Sequence, residues 1–243
     1  MEKKSWFETW FNSPYYHQLY RHRSEAEAQA FIQRLVAQMD LTPQAPVMDL
    51  ACGKGRHSWA LHQCGLQVTG MDLAPNSIAL ARQDYPQVRF EVGDMRSFDL
   101  DVRFEAVFNL FTSFGYFNGL EDNLKVLQRV HAHLRSGGCL VIDFLNAPLV
   151  ERTLVAAEVQ EHEGVRFDIR REVKAGQILK HIAVSDPDPV LEVTEQVQSI
   201  HPHDFRSLLV RAGFAVTREY GNYHLAAYTP DSPRFIIIAT KLH

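Results

Sequence analysis

The spacing of hydrophobic and polar positions changes along the chain. After residue 24, Ala28, Phe31, Ile32, Leu35, Val36 and Met39 recur at steps of three and four. That is the stripe of an amphipathic helix, and Ser24 and Glu27 have capping-box spacing at its start. From Pro46, short apolar runs alternate with helical stretches: PVMDLA, the helix RHSWALHQCG stopped by Gly65, QVTGMDL, a helix opened by Pro75, VRFEV, EAVFNLF, the helix EDNLKVLQRVHAHL, and CLVIDFL after Gly137-Gly138. Between about Glu158 and Ile200 the period falls to two. Val165, Phe167 and Ile169 share a face; so do Ile178, Ile182 and Val184, and Leu191, Val193 and Val197, with KAGQ and SDPDP as turns. A helix HDFRSLLVRAGF and two strands, FAVTREY and RFIIIATKL, close the chain.

Strands alternating with helices at short intervals predict βαβ units. The expected fold is α/β, a doubly wound, seven-stranded, mostly parallel sheet with an inserted three-stranded antiparallel meander. The expected domains are residues 24–150 with 201–243, an insertion over 151–200, and an aromatic-rich N-terminal segment, 1–23, without a clean period.

Composition narrows the function classes. Net charge is −4 over 243 residues and no long basic run occurs, which argues against a surface for duplex nucleic acid. Three cysteines, Cys52, Cys64 and Cys139, form no C-x-x-C pair and suit a reducing cytoplasm. MEKKSWFETW lacks the apolar core of a signal peptide, and no apolar run of about 18 residues predicts a membrane span. The pairs His131/His133 and His201/His203 are two apart and diverge on a helix, so no metal site is expected.

The chemistry gathers at VMDLACGKGRHS, Val47 to Ser58. A phosphate-binding loop needs G-x-x-x-x-G-K-[ST], and Lys54 is followed by Gly55 with no glycine five residues before Gly53. A dinucleotide fingerprint needs a third glycine where Ser58 stands. The loop nonetheless brings backbone and a helix N-terminus close to a ligand, and that terminus favours an anionic group such as a carboxylate. Asp49 lies in the strand before the loop, Asp72 ends the second strand and Asp94 ends the third. Three acids around one crevice repel a pyrophosphate. They suit a ligand with an amine, a sulfonium, a ribose diol and an adenine amino group, which is S-adenosylmethionine.

VMDLACGKGRHS, VTGMDLAPNSIALAR, FEVGDMRSF, FEAVFNLFTSFGYF and HLRSGGCLVIDFL, in this order and spacing, resemble successive motifs of the class I S-adenosylmethionine-dependent methyltransferases. Lys54, where a small residue or Thr is common, and Ser136, where Pro is common, are the departures. The resemblance implies that Asp49, Ala51, Gly53 and Gly55 surround the methionine part. By the same resemblance Asp72 holds the ribose hydroxyls with Leu73 against the adenine. Asp94 meets the adenine amino group with Met95 on the ring, and Asn109 and Leu110 floor the methyl group.

The insertion, together with GDMR and an F-[ST]-S-x-G stretch, resembles aminosugar N-methyltransferases. This implies transfer to N or O of a small-molecule acceptor, with the insertion over the acceptor site and residues 1–23 as a lid. Tyr15, Tyr16 or Tyr20 faces the sulfonium in that arrangement; Tyr16 is the one assigned to the cofactor. The general base is open among Tyr116, His17, Tyr223 and His224. An RNA-modifying methyltransferase and a non-catalytic nucleoside-binding module stay open as alternatives. A homodimer through an exposed strand edge is a further expectation.

Overall fold

The computed structural model describes residues 6–20, 25–117, 119–186 and 190–242. The expected cap Ser24 lies outside them. Three helices come first, α1 (Trp6–Trp10), α2 (Pro14–Leu19) and α3 (Glu25–Val36). The stripe of α3 is buried at Ala28, Phe31, Ile32 and Leu35.

The alternating region folds as β1 (Pro46–Leu50), α4 (Arg56–Gln63), β2 (Gln67–Asp72), α5 (Pro75–Asp84), β3 (Arg89–Val92), β4 (Phe104–Asn109), α6 (Leu120–His133) and β5 (Leu134–Leu145). After the insertion come α8 (Pro202–Arg211), β10 (Phe214–Tyr220) and β11 (Arg234–Lys241). The seven strands lie in the order β10-β11-β5-β4-β1-β2-β3. The pairs β4–β5, β1–β4, β1–β2 and β2–β3 are parallel, and β11 is antiparallel to both its neighbours.

Strand alternation divides the core between the two sheet faces. Met48, Leu50, Val107 and Ile142 join one cluster with Phe144 and Phe205, while Val47, Ala106, Phe108 and Val141 join the other with Phe31 and Leu61. Coverage on both faces explains why β1, β4 and β5 are continuous apolar runs. Strand β1 sits between β4 and β2, so the chain reverses its winding there. The crevice beyond the carboxyl ends at such a switch point is where open α/β sheets bind ligands.

The insertion opens with a short helix α7 (Ala147–Thr153), which the sequence pattern did not signal. It continues as β6 (Ala157–His162), β7 (Val165–Lys174), β8 (Gln177–Val184) and β9 (Leu191–Gln198), an antiparallel sheet in chain order. This is four strands, not the expected three. In β6 the positions facing inward are Glu158, Gln160 and His162, so it lacks an apolar face to recognise and is held by its pairing with β7.

The apolar face of this sheet meets the N-terminal helices. Trp10 and Leu19 pack with Val165, Phe167, Ile169, Ile182 and Val184 in a third buried cluster. Among the described residues no helix is long and apolar enough to cross a membrane.

Candidate functional site

A cavity of about 710 Å³ occupies the carboxyl edge of the large sheet. The loops after β1, β2, β3 and β4 form one wall, and the insertion and the N-terminal helices form the other.

The glycine loop is built on the left-handed backbone. Ala51 has φ 62°, Gly53 φ 56° and Gly55 φ 82°. At Gly55 a side chain is excluded twice, because a Cβ there would lie 2.6 Å from the Phe90 ring. The loop therefore lies directly against β3, and α4 begins immediately behind it, with Arg56 and His57 of its first turn lining the cavity.

Asp72 fastens this loop. Its Oδ2 accepts the Gly53 N–H at 2.8 Å, and its Oδ1 accepts the Ala74 N–H at 2.8 Å. Burial raises its pKa against the pull of those backbone donors. Each oxygen retains a lone pair, and Asp72 and Leu73 both line the cavity. Asp94 and Met95 line it too. The Asp94 carboxylate is gripped by Arg96 Nε at 3.0 and 3.1 Å, and by Arg96 Nη2. Burial opposes its ionisation, but the Arg96 guanidinium and backbone N–H prevail and hold the carboxyl below the usual range.

Asp49 differs from the expectation that three acids surround the crevice. It is 1% exposed, lies beneath the loop and does not line the cavity. Its Oδ2 accepts the Ser58 hydroxyl at 2.6 Å. Ser58, which breaks the dinucleotide fingerprint, is thus the donor a buried acid at this point requires. Burial pushes the Asp49 carboxyl up to about 7, with the negative field of Asp72 adding to the effect.

Asn109 also departs from its expected place. It is 1% exposed, its Nδ2 donates to the Leu50 carbonyl at 3.0 Å, and it ties β4 to β1 below the cavity floor. Leu110, the next residue, does line the cavity, as do Ala51 and Gly53. Gly55 sits behind them as the N-cap of α4 and is not in the cavity wall.

The stretch after β4 turns on two consecutive left-handed non-glycine residues, Phe111 (φ 63°) and Thr112 (φ 61°). Such backbone persists only where its surroundings over-determine it. Here Asp143, fully buried on β5, supplies the constraint. Its Oδ2 accepts the Phe111 N–H at 2.9 Å and its carbonyl accepts the Thr112 N–H at 2.9 Å. Arg234 donates from Nε to Asp143 Oδ1 at 2.8 Å and from Nη2 to Thr112 Oγ1 at 2.9 Å. Burial works against the Arg234 charge, but Asp143 outweighs it and raises the pKa. Sequence reasoning missed both residues; the signal was a lone acid inside the apolar run CLVIDFL and an arginine opening RFIIIATKL.

The four expected bases separate. Tyr116 and His17 line the cavity. Tyr116 donates its hydroxyl to the Thr112 carbonyl. Burial lowers the His17 pKa to about 4, with the Lys54 charge adding to the effect. Tyr223 and His224 are not in this cavity. Tyr223 donates to Asp143 Oδ2 at 3.2 Å behind the Phe111 turn, and burial raises its pKa. His224 is exposed on the loop before β11. Tyr16 lines the cavity between the rings of Phe11 and Tyr20, at 4.9 and 5.0 Å. Tyr15 points away, to Asp186.

His133 is 2% exposed, with Nε2 accepting the Leu100 N–H and Nδ1 bonded to the Arg129 carbonyl, a core contact. Among the described residues no group of three or more His, Cys, Asp or Glu is close enough to hold a metal ion.

A doubly wound sheet, a glycine loop fastened by an acid at the end of β2, and a cavity at the switch point define a nucleoside-binding α/β protein. Residues 47–138 match the family described as a methyltransferase domain. The chain is 33% identical over 122 residues to the dTDP-3-amino-3,6-dideoxy-alpha-D-glucopyranose N,N-dimethyltransferase of Streptomyces fradiae, covering 50% of this chain and 46% of that protein. It is 28% identical over 185 residues to the dTDP-3-amino-3,4,6-trideoxy-alpha-D-glucopyranose N,N-dimethyltransferase of Streptomyces venezuelae, covering 72% and 78%. Among solved structures, SAM-bound CalS10, an amino pentose methyltransferase from Micromonospora echinaspora, superposes with a TM-score of 0.70 at 25% identity, covering 94% of this chain and 97% of that one. Residues 47–138 thus carry a methyltransferase domain, and the chain is similar to S-adenosylmethionine-dependent aminosugar N-methyltransferases.

Two outcomes test the electrostatic account. Arg234→Met leaves Asp143 as an uncompensated buried charge, so urea denaturation should show a loss of about 3–5 kcal/mol. An unchanged midpoint would mean that the Phe111 turn does not depend on the pair.

Asp49 has a folded-state pKa above the unfolded value, so the folded chain binds the extra proton. Its stability cost is absent below about pH 4, grows as pH rises and is complete above about pH 7. Asp49→Asn keeps an acceptor for Ser58 and removes that cost. The ligand-free variant should match the parent near pH 4 and exceed it by on the order of 2–4 kcal/mol at pH 8. A difference independent of pH would refute the assignment.

Proposed function

We propose that this enzyme transfers the methyl group of S-adenosylmethionine to the amino nitrogen of a small-molecule acceptor, with an amino sugar as the acceptor class. The observation that carries this reading is that one cavity runs from Asp72 and the glycine loop to the inner face of the second sheet. A nucleoside end and an acceptor end therefore share one partly enclosed space.

In this reading the ribose diol lies on Asp72, the adenine lies between Leu73 and Met95 with its amino group at Asp94, and the carboxylate lies at the head of α4. Bound there, the cofactor supplies an activated methyl carbon. The protein's part is alignment and exclusion of water. Leu110 and the fixed Phe111 turn give the rigid floor, and the aromatic wall of Phe11, Tyr16 and Tyr116 keeps the space dry. Ring faces turned toward a sulfonium attract it.

The basicity of the site favours nitrogen over oxygen. A histidine with a pKa of about 4 is a poor acceptor for an alcohol proton. A neutral amine attacks without prior deprotonation and needs only a weak base afterwards. The relatives named above act on amino sugars, which supports the acceptor class.

In the same reading residues 1–23 are a lid, 151–200 cover the acceptor, and 24–150 with 201–243 bind the cofactor. The three free cysteines, one buried and two partly buried, suit a reducing cytoplasm. The outer edge of β6, which pairs only with β7 among the described residues, would serve a homodimer.

Transfer of label from methyl-labelled S-adenosylmethionine tests the reading. An amino-sugar nucleotide pool should take up acid-stable N-methyl label, and Asp72→Ala should weaken S-adenosylhomocysteine by about 1–3 kcal/mol while the protein stays folded. Label appearing in tRNA and not in the amine pool would overturn the acceptor class. Unaltered affinity in the folded variant would overturn the place given to Asp72.

A further inference from the structure

Across β7, β8 and β9 the inner face of the second sheet is apolar row by row, with one exception. Phe167, Val184 and Leu191 stand in register across β7, β8 and β9; so do Ile169, Ile182 and Val193, and likewise Val173, Ile178 and Val197. Between the last two rows Arg171 pairs with Lys180, and Lys180 with Glu195. All three line the cavity. Charged groups in an apolar face cost free energy unless they are partnered, so their partners indicate what the row is for.

Arg171 is held within the sheet by Glu158. The other two reach off the sheet to the N-terminal segment. The indole N–H of Trp10, a residue 2% exposed, donates to Glu195 Oε1 at 2.6 Å. The Tyr20 hydroxyl donates to Glu195 Oε2 at 2.7 Å, and Lys180 Nζ donates to that hydroxyl at 2.7 Å. Tyr16 stands between the two anchored rings, 5.9 Å from Trp10 and 5.0 Å from Tyr20, and lines the cavity.

The opposite side of the same segment reaches the nucleoside end. Asn12 Oδ1 accepts the Asn76 N–H at 3.1 Å, in the first turn of α5 and two residues past the Ala74 N–H that Asp72 accepts. Residues 6–20 thus span the crevice, bonded at the rim of the second sheet by Tyr15 to Asp186 and Gln18 to the His162 carbonyl, on its inner face by Trp10 and Tyr20 to Glu195, and at the large sheet's rim by Asn12.

We propose that Glu195 is a positioning residue that latches the N-terminal helices across the crevice, so that the acceptor-side sheet controls how long the nucleoside is retained. The inference rests on the cofactor reading above. One carboxylate receives both a buried indole N–H and a phenol, and such charge-assisted bonds are the strong ones. Without it the Trp10 donor is left in an apolar cluster with no acceptor, and the open arrangement gains population. An acceptor that competes for Glu195 or Lys180 acts on the same latch.

Three variants of the full chain test this: Glu195→Gln, Trp10→Phe, and the two combined. Trp10→Phe keeps a ring in the cluster and removes only the N–H. The first readout is the rate of chymotryptic cleavage within residues 6–20 of ligand-free protein; the second is release of S-adenosylhomocysteine by stopped flow. Each single variant should raise both rates about tenfold, with the circular dichroism of the parent. The combined variant should fall well short of the product of the two, because Gln keeps an acceptor but loses the charge that strengthens the same bond that Trp10→Phe removes. Should Glu195→Gln fail to fold, Trp10→Phe and Tyr20→Phe carry the same comparison.

Unaltered cleavage and release in the folded variants would overturn the latch, and so would fully multiplicative effects. A parent protein that binds no S-adenosylhomocysteine would instead overturn the cofactor reading. The cleavage rates would still decide for or against the latch.

Discussion

The Asp72 carboxylate, with the Gly53 N–H on one oxygen and the Ala74 N–H on the other, is the bond on which the crevice depends. It joins the glycine loop after β1 to the turn after β2, which places both walls of the nucleoside end at a fixed separation. The same device recurs around the edge of the sheet. Asp143 at the end of β5 fixes the Phe111–Thr112 turn through two backbone N–H groups, and Asp49 at the end of β1 is fixed by Ser58. At Asp72 and Asp143 the acid near a strand's carboxyl end receives donors from irregular backbone, and at Asp49 it receives a hydroxyl from the first turn of α4. The loops of the site are thereby rigid without regular secondary structure of their own.

These acids also set the local polarity of the site. Asp72 faces the cavity, Asp94 faces it paired with Arg96, Asp49 lies just below it, and Asp143 is neutralised by Arg234. The Asp72 carboxylate favours a hydrogen-bond donor or a cationic group beside it and opposes a phosphate there. It acts together with the N-terminus of α4, which favours a single carboxylate. A zwitterionic methionine moiety meets both demands, a positive amine and sulfonium with one negative terminus.

Much of this was legible in the sequence where periodicity and burial agree. The α/β core could be read because each strand is buried on both faces and each helix carries a stripe. The loops after β1, β2 and β3 could be read because glycine and acid positions are dictated locally. What escaped was non-local. Strand β6 has no apolar face and exists through its pairing with β7. Asn109 sits at a strand end like a site residue, yet its side chain is spent on the Leu50 carbonyl. Tyr223 and His224 are near in sequence to a closing strand, but Tyr223 packs behind the Phe111 wall of the cavity and His224 is exposed. Arg171, Lys180 and Glu195 occupied positions where a period of two predicts apolar residues. That break in pattern was visible, but its meaning required the register that aligns them.

The central claim is that the crevice around Asp72 holds the nucleoside and the second sheet holds the acceptor. A crystal structure of the protein grown with S-adenosylhomocysteine tests it most directly. The account predicts the ribose hydroxyls within hydrogen-bond distance of both Asp72 oxygens, the carboxylate at the head of α4, and the sulfur pointing past Leu110 toward Lys180 and Glu195. A nucleoside seated against the second sheet, or a ribose with no contact to Asp72, would contradict it.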